Sequence, residues 1–153
     1  MVPYKKQTLE ELDKKIAYYF EKAFAMSEFD LEAMMMFARN LNEVITTRLY
    51  IAMLNKEPYK IIEKRYTNNK DGKEKINTKK VNFTSKEKIL QLERADKLPQ
   101  AIVICLSMLS TAGNVSVHGS EILDSQLNKP FKDIISFICK WYYEKFSKKR
   151  IPK

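Results

Sequence analysis

The chain has 153 residues, of which 44% are hydrophobic and 11% aromatic, and these values exclude a disordered protein and suffice for one core. Its three glycines and five prolines are too few for a turn-rich β-sandwich or barrel, so the composition favours helices. The net charge of +9 favours an acidic partner, although a lysine-rich surface that contacts only solvent has the same composition. We therefore expect a single domain over residues 1–153.

Two features of the sequence predict a cytoplasmic protein without membrane contact. The N-terminus lacks the apolar core of a signal peptide, and no run of about eighteen apolar residues could span a bilayer. Cys105 and Cys139 lie in apolar segments without the spacing of metal ligands, which predicts buried free thiols in a reducing compartment. A disulfide between two packed helices is the alternative.

Apolar residues that recur at spacings of three and four predict five helices. Thr8, Asp30 and Thr84 are the expected N-caps of the first three, and Thr8 and Thr84 each have a glutamate three residues later, as in a capping box. The fourth helix is apolar nearly all round, which predicts a central position. The helices are expected at residues 9–27, 31–55, 85–95, 99–119 and 130–148.

Residues 56–84 interrupt the helical pattern and form a basic insertion. The turn sequence at residues 68–72 (Asn-Asn-Lys-Asp-Gly) separates two flanks that could pair as a β-hairpin or form a loop. Residues 56–88 hold eleven Lys and Arg against five acids, which makes this region the first candidate for contact with RNA or DNA. The alternative is a basic insertion that contacts only solvent. The candidate nucleic-acid-binding residues are Lys64, Arg65, Lys70, Lys73, Lys75, Lys79, Lys80 and Tyr66, the last for stacking on bases.

The residue types leave little room for metal or cofactor chemistry. One histidine and no Cys-x-x-Cys pair exclude a zinc site, and three scattered glycines exclude a phosphate-binding loop, so neither metal nor cofactor is expected.

Asn114 and His118 are four residues apart and share one helix face. Arg39 and Glu43 have the same spacing, and they form either a surface ion pair or a pair in which Arg39 points into the bundle.

Three segments occur in an order that resembles a known family. Residues 38–43 read Ala-Arg-Asn-x-x-Glu, residues 112–119 read Ala-Gly-Asn-x-x-x-His-Gly, and residues 141–143 read Trp-Tyr-Tyr. This order resembles the helical domain of bacterial restriction and defence proteins, including the domain N-terminal to type I restriction endonuclease subunits, which is grouped with the HEPN superfamily. The resemblance implies an all-α, HEPN-like bundle of about five helices that carries the basic insertion between the second and third, and it implies a homodimer.

The resemblance also implies a function and a set of site residues. HEPN ribonucleases cleave RNA without a metal by means of an arginine and a following histidine, and here Gly113 occupies the arginine position while Asn114 and His118 match the polar residue and the histidine. A non-catalytic binding or regulatory module of a prokaryotic defence or mobile-element system is therefore expected, contacting nucleic acid, a nucleotide or a protein of a nucleic-acid-processing complex.

Two alternatives to that function stay open. One is a metal-independent ribonuclease or toxin in which Arg39 supplies the missing cation beside Asn114 and His118. The other is a small phage or host inhibitor that acts through protein contacts. If the same polar residues are only structural, Arg39, Glu43, Asn114 and His118 form a buried polar network that fixes the register of the helices.

Overall fold

The computed structural model describes residues 6–117 and 128–146, which form five α-helices and one two-stranded antiparallel sheet. In this part of the chain, none of the helices has the combination of length and apolar character that a membrane span requires. The predicted basic tail, residues 148–153, lies outside the described residues. In chain order the elements are α1 (Lys6–Met26), α2 (Leu31–Leu54), β1 (Tyr59–Thr67), β2 (Glu74–Asn82), α3 (Ser85–Arg94), α4 (Gln100–Val117) and α5 (Asn128–Phe146).

The predicted all-α fold is wrong, because the insertion is a regular β-ribbon and the architecture mixes helices with a sheet. β1 and β2 pair over nine residues each, from Tyr59 opposite Asn82 to Thr67 opposite Glu74. At the tip, the Asn68 N–H donates to the Lys73 carbonyl at 2.9 Å. Gly72 occupies the left-handed region there with φ at 69°, a conformation that glycine adopts without strain. The β-branched and aromatic residues of both flanks favour the strands that this turn joins.

The helix starts follow the capping residues at two of the three expected positions. The Asp30 side chain accepts a hydrogen bond from the Ala33 N–H at 3.1 Å, which confirms it as the N-cap of α2. Thr84 and Glu87 form the expected capping box at the start of α3. The expected cap at Thr8 is wrong, because α1 includes Lys6 and Thr8 lies within the helix.

The helices enclose one apolar core, in which α2 packs against α1, α3 and α4. The predicted central position of α4 is wrong in part, since Ile104 and Met108 on its outer face are about half exposed. Cys139 is buried and Cys105 half-buried, and both are free thiols. The side chains with no exposed surface at the centre of the core include Ile16, Met34, Leu41, Ile45, Leu49, Leu92, Leu106, Ile135 and Ile138.

A polar network joins α1, α2 and α5 beside this core. The Arg48 Nε donates to the Asp13 carboxylate at 3.0 Å, and the Tyr142 hydroxyl donates to the same carboxylate. The Arg48 guanidinium also lies 5.3 Å from the centre of the Phe146 ring. Because Arg48 is only 7% exposed, these contacts compensate a buried cation and hold α5 against the α1–α2 pair.

Candidate nucleic-acid interface

The β-ribbon exposes both of its faces, and the two faces differ in charge. Successive side chains of a strand point to opposite sides, and residues directly opposite each other in the register share a side. The register therefore places the even-numbered residues of β1 with the odd-numbered residues of β2, and the remaining residues on the other side. Nearly every residue of the two strands is exposed.

One face, which we call the basic face, carries four lysines and no acid. Consecutive lysines are diagonal neighbours across the two strands, in the order Lys60, Lys79, Lys64, Lys75, which puts their Cα atoms about 7–8 Å apart. Two apolar side chains lie among them, Ile62 at 41% and Tyr66 at 45% exposure. The complete basic face consists of Lys60, Ile62, Lys64, Tyr66, Lys75, Asn77, Lys79 and Val81.

The opposite face, which we call the mixed face, has two cations and two acids. Glu74 is the diagonal neighbour of Arg65, and Glu63 is the diagonal neighbour of Lys80. The Lys80 ammonium also lies 4.0 Å from the centre of the Tyr59 ring, a cation–π contact. The charges of this face therefore balance within the ribbon.

The structure divides the eight residues that the sequence singled out for nucleic-acid binding. Lys64, Tyr66, Lys75 and Lys79 belong to the basic face, Arg65 and Lys80 belong to the mixed face, and Lys70 and Lys73 lie in the turn at the tip. Sequence reasoning missed Lys60, which completes the basic face. The alternation of strand residues could have identified it, because Lys60 is an even number of residues from Lys64 in the same strand.

The base of the ribbon is attached firmly to the helices. The Phe83 N–H donates to the Pro58 carbonyl at 3.0 Å, which closes the ladder after the last residue of β2. The Phe83 ring packs against Tyr50 of α2 with 5.9 Å between ring centres, and the Tyr50 hydroxyl donates to Gln91 of α3 at 2.8 Å. Burial raises the pKa of Tyr50 above its ordinary value. These contacts fix the direction in which the ribbon leaves the helical body.

Glu43 binds α3 rather than its predicted neighbour Arg39. The Ser85 hydroxyl donates to the Glu43 Oε1 at 2.6 Å, and the Lys88 Nζ lies 3.7 Å from its Oε2. Lys88 is only 4% exposed and also donates to the Thr47 hydroxyl at 2.7 Å. Burial lowers the pKa of the Lys88 ammonium, and the Glu43 carboxylate partly offsets this effect. This cluster ties the start of α3 to α2.

Glu43 and Ser85 also line a cleft of about 310 Å³ between α2, the start of α3 and α4, which we call the Asn42 cleft. Asn42 is 1% exposed, and its Oδ1 has no hydrogen-bond partner among the described residues. Arg39 is half-buried, and within the described part of the chain it takes part in no hydrogen bond or ion pair. The other lining residues are Thr84, Lys86 and Ser110.

The predicted polar residues of α4 fall at the edge of the described structure. Asn114 belongs to α4, one helical turn beyond Ser110. The side chain of Asn114 and the whole of His118 lie outside the described residues. The ribonuclease alternative and the four-residue polar network of Arg39, Glu43, Asn114 and His118 therefore stay predictions, while Arg39 has a definite place in the Asn42 cleft.

A second open groove, of about 550 Å³, runs between α4 and α5 and is mainly apolar. Ile104 and Met108 of α4 line it at 51% and 47% exposure, together with the half-buried Phe131 of α5. The predicted homodimer and the predicted protein partner of a defence complex both stay predictions.

Comparison of the chain with models of protein families, with curated proteins and with solved structures finds no match.

Proposed function

We propose that this protein is a nucleic-acid-binding module that contacts duplex DNA through the basic face of its β-ribbon. The single observation that carries this proposal is the separation of charge, in which one face holds four lysines without an acid while the other is neutral. A lysine-rich surface that serves only solubility does not require its lysines and acids to lie on different faces. A surface that binds a linear polyanion does require this separation, because an acid on the contact face would repel the phosphates.

The energetics of the basic face favour a polyanionic partner. In the order Lys60, Lys79, Lys64, Lys75, each lysine is a diagonal neighbour of the next, and like charges about 7–8 Å apart repel each other. Phosphates bound between these ammonium groups would relieve the repulsion and release condensed counterions from the nucleic acid. The exposed Tyr66 adds an aromatic surface at the outer end of the same face.

The dimensions of the ribbon suit the major groove of B-DNA. Nine residues per strand extend for about 30 Å at about 3.3 Å per residue. A two-stranded ribbon fits a groove about 12 Å wide. The Asn77 amide lies among the lysines of the basic face and is suited to bidentate hydrogen bonding with adenine, while Ile62 offers an apolar contact for a thymine methyl group. We therefore propose backbone contacts from the lysines and base contacts from the middle of the face.

The resemblance to HEPN-like domains of restriction and defence proteins supports a partner of this class. In this proposal the chain acts without catalysis, as a module that holds nucleic acid for a prokaryotic defence or mobile-element system.

Two double variants with the same change in net charge test the proposal. Lys75→Gln/Lys79→Gln removes two cations from the basic face, and Arg65→Gln/Lys80→Gln removes two from the mixed face. Binding to a fluorescent DNA duplex, measured by anisotropy at about 100 mM salt, should weaken about tenfold in the first variant and remain within about twofold of wild type in the second. Equal losses in both variants would assign binding to diffuse charge, and failure of the wild-type protein to bind duplex DNA would reject the function.

A further inference from the structure

We propose that the free edge of β1 pairs with the same edge of a second copy of this chain. The two β1 strands run antiparallel about a two-fold axis at Lys64, so residues at equal distances before and after Lys64 lie opposite each other. The product is a four-stranded sheet in the order β2, β1, β1, β2. The pairing is inferred from the backbone, the exposed apolar side chains and the charges of β1, and it does not depend on the proposed DNA contact.

The outer edge of β1 carries unpaired backbone groups. At the base of the ribbon the Phe83 N–H donates to the Pro58 carbonyl, and at the tip the Asn68 N–H donates to the Lys73 carbonyl. The even-numbered residues of β1 therefore exchange hydrogen bonds with β2, and the N–H and C=O groups of the odd-numbered residues point away from it.

Nothing in β1 protects this edge from another strand. Its nine residues contain no proline, and they pair with β2 one to one without a bulge. Over residues 6–117 and 128–146, no third strand joins the sheet. A long, regular edge of this kind is a template for a further strand.

The ribbon also needs a further contact to be stable. An isolated two-stranded sheet is only marginally stable in water and usually gains a third strand or a helix against one face. Here nearly every strand residue is exposed, and the packing of Phe83 on Tyr50 lies at the base. Of the four large apolar side chains that the ribbon exposes, three belong to β1, namely Ile61, Ile62 and Tyr66. This distribution favours the edge of β1 over that of β2.

The charges of β1 are complementary to themselves about Lys64. Glu63 of one copy lies opposite Arg65 of the second copy, and the two-fold axis produces this ion pair twice. Both residues are odd-numbered, so their outward N–H and C=O groups face each other and can form hydrogen bonds. A register centred on Glu63 or on Arg65 would instead set that residue opposite its own copy. The charges therefore select Lys64 as the centre.

The remaining side chains suit the same register. Ile62 lies opposite Tyr66 of the second copy, and Ile61 lies opposite Thr67, which are the aromatic and β-branched pairs that sheets favour. Lys64 lies opposite its own copy, and this one repulsive contact limits the affinity. The pairing is therefore reversible.

Self-pairing and entry into the major groove exclude each other. Adjacent strands are about 4.8 Å apart, so the outer strands of the four-stranded sheet are about 14 Å apart before side chains are counted. The groove is about 12 Å wide and admits a two-stranded ribbon. The paired form therefore keeps the basic face out of the groove. This consequence, unlike the pairing itself, rests on the proposed function.

Charge reversal tests the register. Self-association of the full chain is measured by sedimentation equilibrium at about 300 mM salt, which screens the repulsion between two chains of net charge +9. Glu63→Arg and Arg65→Glu each set like charges opposite each other twice and should raise the dimer dissociation constant about tenfold. An equimolar mixture of the two variants restores both ion pairs and should associate about as well as wild type.

A control variant separates this register from net charge. Glu74→Arg changes the net charge by the same amount as Glu63→Arg, but it lies on β2, away from the pairing edge. Its dissociation constant should stay within about twofold of wild type. Wild-type protein that remains monomeric up to about 1 mM, or a mixture that associates no better than its components, overturns the proposal.

A disulfide cross-link tests the centre of the register. Lys64 and its copy form a non-hydrogen-bonded pair with Cα atoms about 4.5 Å apart, a distance that a disulfide can span. Lys64→Cys should therefore give a covalent dimer with oxidised glutathione. Asn77→Cys, directly opposite Lys64 on the same face but on β2, should stay monomeric. Wild type measures the background from Cys105 and Cys139, and equal cross-linking in the two variants overturns the proposal.

The cross-linked protein also tests the consequence for DNA. Oxidised Lys64→Cys should bind a DNA duplex about tenfold more weakly than the same variant after reduction. Equal binding by the two forms overturns the exclusion between pairing and groove entry. Wild-type protein that forms the β1 pair but binds no duplex DNA refutes the proposed function alone, so the two failures can be told apart.

Discussion

Lys79 and Lys80 are adjacent in β2 but lie on opposite faces of the ribbon, Lys79 opposite Ile62 and Lys80 opposite Ile61. Lys80 contacts the Tyr59 ring and has Glu63 as a diagonal neighbour, whereas the diagonal neighbours of Lys79 are Lys60 and Lys64. Two neighbouring residues of the same type are thus predicted to differ in function.

The salt dependence of DNA binding should distinguish these two lysines. If each lysine of the basic face neutralises one phosphate, the logarithm of the association constant should fall with the logarithm of salt concentration with a slope of about −3 to −4. Lys79→Gln should make this slope shallower by about 0.9, and Lys80→Gln should leave it unaltered. Anisotropy titrations between about 50 and 200 mM salt measure both slopes. A matching change in the Lys80 variant would contradict the assignment of the two faces.

Tyr142 and Tyr143 should respond differently to loss of the hydroxyl. The Tyr142 hydroxyl donates to Asp13, so Tyr142→Phe should lower the free energy of unfolding by about 1.5–3 kcal/mol. The Tyr143 hydroxyl is buried without a hydrogen-bond partner in residues 6–117 and 128–146, so Tyr143→Phe should leave that free energy unchanged or raise it by about 1 kcal/mol. Urea unfolding at neutral pH measures both values. The two variants are controls for each other, and equal effects would refute the hydrogen-bond assignment.

Tyr143 should also make stability depend on alkaline pH. Burial, followed by the nearby groups of Cys139, Asp13 and Glu21, raises the pKa of Tyr143 from 10.0 to about 12. Between these values the unfolded chain has released a proton that the folded protein still binds, so the free energy of unfolding falls as the pH rises. This contribution is fully present below a pH of about 10 and is lost as the pH passes about 12.

Tyr143→Phe removes that contribution from the alkaline pH dependence. The variant should therefore gain stability relative to wild type when urea unfolding at pH 10.5 is compared with unfolding at pH 8. Burial raises the pKa values of Cys139 and Tyr142 as well, so part of the alkaline loss should persist in the variant. A difference between variant and wild type that is the same at both pH values would contradict the raised pKa of Tyr143.

The buried ammonium of Lys88 should depend on Glu43. Glu43→Leu leaves that ammonium without its carboxylate and should lower the free energy of unfolding by about 1–2 kcal/mol. Lys88→Met, which removes the buried charge itself, should cost less, and the double variant should be more stable than the sum of the two single effects.

An exposed ion pair provides the control for this cycle. Glu28 and Lys132 lie 3.3 Å apart with 68% and 34% of their side chains exposed. Glu28→Leu should cost less than about 1 kcal/mol because water screens this pair. Urea unfolding of wild type, the two single variants and the double variant gives the coupling energy between Glu43 and Lys88. An additive cycle would show that Lys88 does not rely on Glu43.

Local patterns predicted most of the helical elements but not how they face one another. Asp30 and Thr84 could be identified as caps because a cap is defined by contacts within a few residues. Thr8 carries the same capping pattern but lies inside α1, since a capping pattern does not by itself set where a helix begins. The apolar sequence of α4 suggested a central helix, and only packing reveals that Ile104 and Met108 lie on its outer face.

The candidate sites also combine features that local sequence predicts with features that only the packing reveals. The basic insertion and its turn could be read directly from lysine content and from the sequence at residues 68–72. The sequence could not decide whether Arg39 pairs with Glu43. A spacing of four residues permits this contact but carries no information about competing partners from other helices. Ser85 and Lys88 reach Glu43 from another helix, more than forty residues away in the sequence.

Charge, helical periodicity and the position of the ribbon were therefore determined by the sequence alone, since each depends on residues close together in the chain. The tertiary structure decided which charges act together. Strand register placed Lys79 beside Lys60 and Lys64 but Lys80 beside Glu63. Helix packing turned Glu43 toward Lys88, while Arg39 and Asn42 came to line one cleft. These relationships depend on contacts between distant segments, in which many partners are compatible with the local pattern and only the packed arrangement selects one.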